Sequence, residues 1–274
     1  MDYNRNPNNR GYQSYGPVQG YGQQPGIDAG PRMAAGGYDD HVLMDNGCYE
    51  GDLANPAVTA FAKKVYAYFA SALGVAAVAA FGGTVAVDHF ISVGDYASVN
   101  TLWIGSLVTF IATYLIVVFS RKSRSRLKTG LLFVFAAAAG GTLAPSLMAN
   151  VAAGMGMAIV LSFALAAVTF FGITVYVLST GKDFRGIGGY LLIGVLVIVG
   201  LFLMSWFVSF PNLMTHAMMA LGFVLFIGFT LYDTSRVVRD NFLQDDAVSA
   251  AINLLYDFVM LFRYALYFIG GGRD

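Results

Sequence analysis

Two aspartates, Asp233 and Asp257, stand in apolar stretches near the end of the chain, in FTLYDTSRVV and INLLYDFVMLF. A membrane-buried Asp costs roughly 2.5–3.5 kcal/mol at a helix centre, so two of them need a reason. Two carboxyls forced together in low dielectric will not both ionise, and sharing one proton halves the charge to be buried. Such a pair can respond to protons or cations by changing how two helices pack. The plainer alternative is a satisfied polar contact that pins the helices together. On the second stretch Asn253 shares a helical face with Asp257 at i, i+4, and Thr230 lies beside Asp233 as a hydroxyl partner.

The elements that must position this pair are membrane spans. The chain has 274 residues, 57% hydrophobic and 12% charged, against about 25% charged in soluble domains. From Val65 onward it reads as runs of about 20 apolar residues, the length a helix needs to cross roughly 30 Å of hydrocarbon. The expected spans are 65–87, 99–119, 129–147, 151–179, 188–210, 212–235 and 247–270. The fourth is too long for a perpendicular crossing, and either tilts or begins as an irregular GMGM turn. The fold class is therefore an all-α polytopic bundle of seven transmembrane helices.

Basic residues fall on alternate connections. Arg121, Lys122, Arg124, Arg126 and Lys128 lie between spans two and three, Lys182 and Arg185 after span four, and Arg236 and Arg239 after span six. Lys63 and Lys64 precede span one. The intervening connections carry no Lys or Arg; one of them holds Asp88 and Asp95. The positive-inside rule then puts the N-terminus in the cytoplasm and, after seven crossings, the C-terminus outside. Residues 1–55 hold ten glycines and six tyrosines and almost no aliphatic run, so they are expected to be a disordered cytoplasmic tail beside a membrane domain over 56–274. A first apolar run that follows so long a polar segment is unlike a cleaved signal peptide.

Several functions are excluded or weakened. The 16 basic and 16 acidic residues cancel, which removes the electrostatic case for a nucleic-acid partner. A single cysteine, Cys48, allows no internal disulfide. No HExxH, GxSxG or P-loop pattern is present and no histidine lies near the aspartates, so an enzyme has little support and no cofactor is expected. A retinal protein would need a lysine in span seven, and there is none. Arg263, within span seven, is six residues beyond Asp257 and about 120° around the helix, so it reads as a structural charge rather than a partner. His216 reads as an incidental interfacial residue. In span three, Ala136/Gly140 and Ala137/Gly141 at four-residue spacing suit close helix packing, with Pro145 nearby.

LYDTSRVV followed by LLYDFVMLFRYALYFIG resembles the last two helices of the Bax inhibitor family, also called the transmembrane Bax inhibitor motif family. GGTLAPS, after the basic connection RKSRSRLK, is similar to that family's third-helix motif. The resemblance covers roughly residues 60–270. It implies a seven-helix bundle with the last helix central, surrounded by the other six. It also implies a pH-sensitive calcium leak in which Asp233 and Asp257 act as proton sensor and latch and bind calcium weakly in transit. The family's arginine at the inner end of helix two falls on Arg121, the candidate counter-ion of the pair. Arg263 departs from the pattern, where a neutral residue is expected. Bacterial relatives include one that modulates a membrane-anchored AAA protease, which offers a rival function as an interaction protein in protease control or stress response. The expected location is the bacterial inner membrane, with protons, calcium and the bilayer as partners.

Overall fold

The structure, a computed structural model, describes residues 56–119, 126–180, 182–205, 207–239 and 246–271. The expected tail, 1–55, and Arg121 lie outside the described residues. Seven α-helices follow in order: α1 Pro56–Ser92, α2 Tyr96–Phe119, α3 Arg126–Ala152, α4 Gly156–Thr180, α5 Gly188–Met204, α6 Asn212–Arg239 and α7 Ala247–Ile269. One 3-10 turn, Arg185–Ile187, leads into α5, and no strand occurs among the described residues. Every one of the seven is long and apolar enough to cross a membrane, that of α5 counted with its 3-10 lead. In hydrocarbon each backbone N–H and C=O must be satisfied inside its own segment, and the helix does so.

Helix ends depart from the apolar runs in both directions, with α1 starting earlier than expected and α5 ending at Met204 rather than at 210. α1 begins at Pro56, with proline in the first turn, where its missing N–H costs nothing. The fourth helix starts at Gly156 rather than at 151, because α3 runs on to Ala152 and residues 153–155 form the turn. There Gly154 takes φ of 71°, its N–H bonds the Val151 carbonyl at 2.9 Å, and the Met155 N–H bonds the Asn150 carbonyl at 2.8 Å. The α1–α2 turn repeats the device, with Gly94 at φ 76° and the Asp95 N–H on the Phe90 carbonyl at 2.8 Å. A left-handed glycine closing the helix end satisfies carbonyls that would otherwise be orphaned. Asp95 then caps α2, accepting from the Ser98 N–H at 3.1 Å and the Ser98 hydroxyl at 2.6 Å. These two hydrogen bonds hold the Asp95 carboxyl below its ordinary pKa.

α3 lies between α1 and α2, and α1–α3 is the most extensive interface in the bundle. The glycine pair sets these distances. A Cβ on Gly140 would strike the Ala76 carbonyl oxygen and come within 2.8 Å of the Ala80 nitrogen, so this glycine lets α1 approach. A Cβ on Gly141 would strike the Ser106 hydroxyl on α2. Adjacent glycines therefore serve two different neighbours. Ala136 is buried as expected of a packing face, but Ala137 is exposed and does not extend the second pair. Pro145 sits inside α3 without ending it.

α7 packs against α1, α2, α3, α4 and α6, while α5 lies against α6 and its 3-10 lead. Thirteen of the 23 residues of α7 are buried, against Leu191 alone in α5. At the basic end of the bundle, α7 is fastened by Asp246. Its carboxylate caps the helix by accepting from the Val248 N–H at 3.0 Å, and it pairs with the buried ammonium of Lys128 at the start of α3, 3.1 Å away.

Candidate functional site

Asp257 is 1% exposed on α7, ten residues past its start, or about 15 Å along the helix. Asp233 is half-buried on α6. The two carboxyls face each other within hydrogen-bonding reach. An ionised carboxylate only accepts, so a hydrogen bond between two carboxyls requires that one carry a proton. The second oxygen of Asp257, Oδ2, has no hydrogen-bond partner among the described residues. A buried carboxylate left half-solvated in this way would be costly, whereas a protonated carboxyl tolerates it far better.

The helix around Asp257 is built into aromatic contacts on two sides. Phe258 meets Phe69 of α1 and Phe170 of α4 edge-on, with centroids 6.0 and 5.7 Å away, and those two rings stack on each other at 4.9 Å. Tyr256 stacks on Phe110 and Tyr114 of α2 at 5.7 and 5.4 Å and meets Phe226 of α6 at 5.4 Å. Offset and edge-to-face pairs of this kind contribute about 0.5–1.5 kcal/mol each beyond their burial. They hold the rotation of α7 and hence the direction of the carboxyl.

Thr230 is fully buried, but its proton goes to the Phe226 carbonyl one turn back, at 2.8 Å, not to Asp233. Asn253 is half-buried one turn from Asp257 toward the basic end. Arg121, the expected counter-ion, lies outside the described residues. Arg263 is half-buried on α7, and its electrostatic neighbours are Tyr256 and Tyr264. His216 places Nδ1 2.7 Å from the Asn212 carbonyl oxygen, near the start of α6. Among the described residues no three His, Cys, Asp or Glu side chains come together as a metal cage.

Sequence reasoning missed a layer of hydroxyls in the same part of the bundle. Tyr66 of α1 points its hydroxyl toward those of Thr174 on α4 and Thr234 on α6, the residue after Asp233. The Tyr66 and Thr234 oxygens are buried and stop short of full hydrogen-bonding geometry. The next residue, Ser235, accepts from the Phe184 N–H at 3.3 Å and ties α6 to the α4–α5 connection. Thr174 gave no signal in the sequence because its proton is spent on the Phe170 carbonyl of its own helix, at 2.9 Å.

Seven apolar helices around an acid pair define an integral membrane protein of the helical-bundle class, with its titratable groups inside the bundle. Residues 58–274 match the family described as "Inhibitor of apoptosis-promoting Bax1", and the chain belongs to that family. It is 34% identical to an uncharacterized protein of Campylobacter jejuni over 204 residues, 74% of this chain and 84% of that protein. It is 28% identical over 174 residues to the Modulator of FtsH protease YccA of Escherichia coli K12, 62% of this chain and 77% of that protein. The same identity and coverage relate it to a protein of Escherichia coli O6:H1 named Inner membrane protein YccA.

Proposed function

We propose that this protein is a passive, proton-regulated cation leak of the inner membrane, with calcium as the ion and Asp233–Asp257 as its gate. The observation that supports it is the meeting of the two carboxyls, one of them fully buried with an oxygen unpartnered. While the pair holds one proton, a hydrogen bond joins α6 to α7. Removing that proton leaves two carboxylates facing each other, and the helices then gain by separating or by admitting a cation. Among the described residues, the other titratable group in electrostatic contact with Asp257 is Tyr256 on its own helix. Two carboxylates are far fewer than the six to eight oxygens of a tight calcium site. A weak site suits conduction, since the ion must leave as readily as it enters.

The experiment is calcium flux into liposomes containing only the purified protein, followed across pH. Flux that varies with pH supports the leak. No flux at any pH favours the second reading, a modulator of a membrane-anchored AAA protease that needs no ion movement. That reading draws support from the name of the Escherichia coli relative.

A further inference from the structure

The far half of the bundle contains a second feature that the acid pair does not use. α1 and α4 flank α7, yet their backbones do not come together. Near the acid pair the gap is bridged by the stacked rings of Phe69 and Phe170. Beyond that bridge it opens into a groove of about 660 Å³, walled by α1 and α4, backed by α3 and floored by Phe258 and Phe262 of α7. The mouth faces sideways, where Phe81 and Val160 on its two rims are 74% and 61% exposed.

The lining is apolar from Leu73 to Thr84, and the Thr84 proton is already given to the Ala80 carbonyl at 2.8 Å. The charged residue on the lining is Asp88, exposed at the far end of α1. Fifteen residues separate Leu73 from Asp88, roughly 22 Å along the helix, which exceeds the about 15 Å of hydrocarbon in one leaflet. The volume falls within the about 300–1,000 Å³ of small-molecule sites. A single extended hydrocarbon chain matches that length. Charge then selects its head. The far-end turns 93–95 and 153–155 carry no Lys or Arg, so Asp88 disfavours an anionic headgroup and favours a cationic one, and a primary ammonium can donate hydrogen bonds to its carboxylate where a choline cannot.

We propose that this groove binds one acyl chain of an amine-headed phospholipid, with the ammonium of phosphatidylethanolamine at the Asp88 carboxylate. The chain lies along α1 and ends against Phe163 and Phe258, whose rings meet edge-on at 5.5 Å. Phe258 neighbours Asp257, so the seated chain touches the helix segment that carries the acid pair.

The test uses the full chain in phosphatidylcholine liposomes doped with phosphatidylethanolamine carrying a photoactivatable group on one acyl chain. Labelled residues are mapped by peptide sequencing. Wild type should label most strongly in 73–88 and 159–163, several-fold above α5, which is apolar and exposed but has no groove. Ala77→Trp and, independently, Val85→Trp fill the mouth and should lower groove labelling several-fold, while Val197→Trp on α5 leaves it unchanged. Asp88→Asn should reduce the preference for the amine over a choline or glycerol headgroup by about two- to fivefold, the range of an exposed ion pair. Labelling spread evenly over α5 and the groove would overturn the site. So would labelling that persists in both filled, monodisperse variants, or a second copy cross-linked through the α1–α4 mouth. A preference for the anionic glycerol headgroup would overturn the assignment of Asp88.

Discussion

At the scale of single residues, the energetic problem is a buried acid and the solution is a second acid. Among the described residues Asp257 has no basic electrostatic neighbour, and its companion is Asp233. In the proposed reading this contact is held by one shared proton, so replacing either acid has a distinct signature. Asp257→Asn keeps a hydrogen-bonding group in place and should cost the fold about 1 kcal/mol or less, within the range of one exchanged hydrogen bond. Asp257→Leu leaves Asp233 without its partner and should cost about 1–3 kcal/mol. Thermal unfolding in detergent checks that order. The acid pair was legible in the sequence because a charge in an apolar run is conspicuous. Tyr66 and Thr174 were not, since a phenol or a hydroxyl in a helix is common and often satisfies itself locally. Lys128 reads in the sequence as one of five loop cations, yet it is a buried ion-pair partner. Only the pairing of α3 with α7 distinguishes it from its neighbours.

At the scale of elements, glycines and caps set the spacing that the acid pair requires. Gly140→Val should push α1 from α3 and destabilise the bundle by at least about 1–3 kcal/mol, as overpacking does. Gly130→Val, where an added Cβ meets nothing within 4 Å, is the control and should change little. At the start of α7, Asp246 both caps the helix and neutralises Lys128. Asp246→Ala should therefore cost more than Lys128→Met, because it removes a cap worth about 1 kcal/mol and leaves a buried ammonium unpaired. Equal losses in the two variants would show that neither the cap nor the unpaired ammonium adds a cost beyond the shared pair. The α2 cap adds a pH term of known sign. Because hydrogen bonds from Ser98 lower the Asp95 pKa, its stabilisation is present above the unfolded value of about 3.8 and fades as pH falls through the lower folded value. Asp95→Asn should therefore lower stability above pH 5, change it least in strong acid, and so flatten the acid limb of unfolding. Helix number and order followed from apolar run length, because the bilayer imposes that length. Helix ends did not follow, since α1 continues through Lys63 and Lys64 and the α3–α4 turn consumes residues that look like span.

At the scale of the whole molecule, the helix directions bring Tyr66, Thr174, Thr234 and the acid pair toward the basic end, and the apolar groove toward the other. Consecutive helices alternate in direction, which puts the start of α1 and the start of α7 at one end. The distribution of Lys and Arg argues that this end faces the cytoplasm. A reporter fused after Asp274 should then read outside, and a cytoplasmic reading would reverse the assignment. Which helices touch could not be read from the chain. Packing in lipid is governed by shape and small residues rather than by apolar stripes, so hydropathy is silent about neighbours. Among the described residues α5 packs against α6 and its own 3-10 lead, and that position carries no mark in its apolar sequence.

In the proposed mechanism Asp233 and Asp257 sense protons by sharing one. Calcium flux into liposomes should be measured at several pH values for wild type, Asp233→Asn and Asp257→Asn, with each protein shown to be folded. Flux should change with pH in wild type and be nearly independent of pH in both variants, because a single carboxyl beside an amide has no repulsion to relieve. A pH profile that survives unchanged in both folded variants would contradict it, and the two aspartates would then be polar contacts between α6 and α7 with no part in gating.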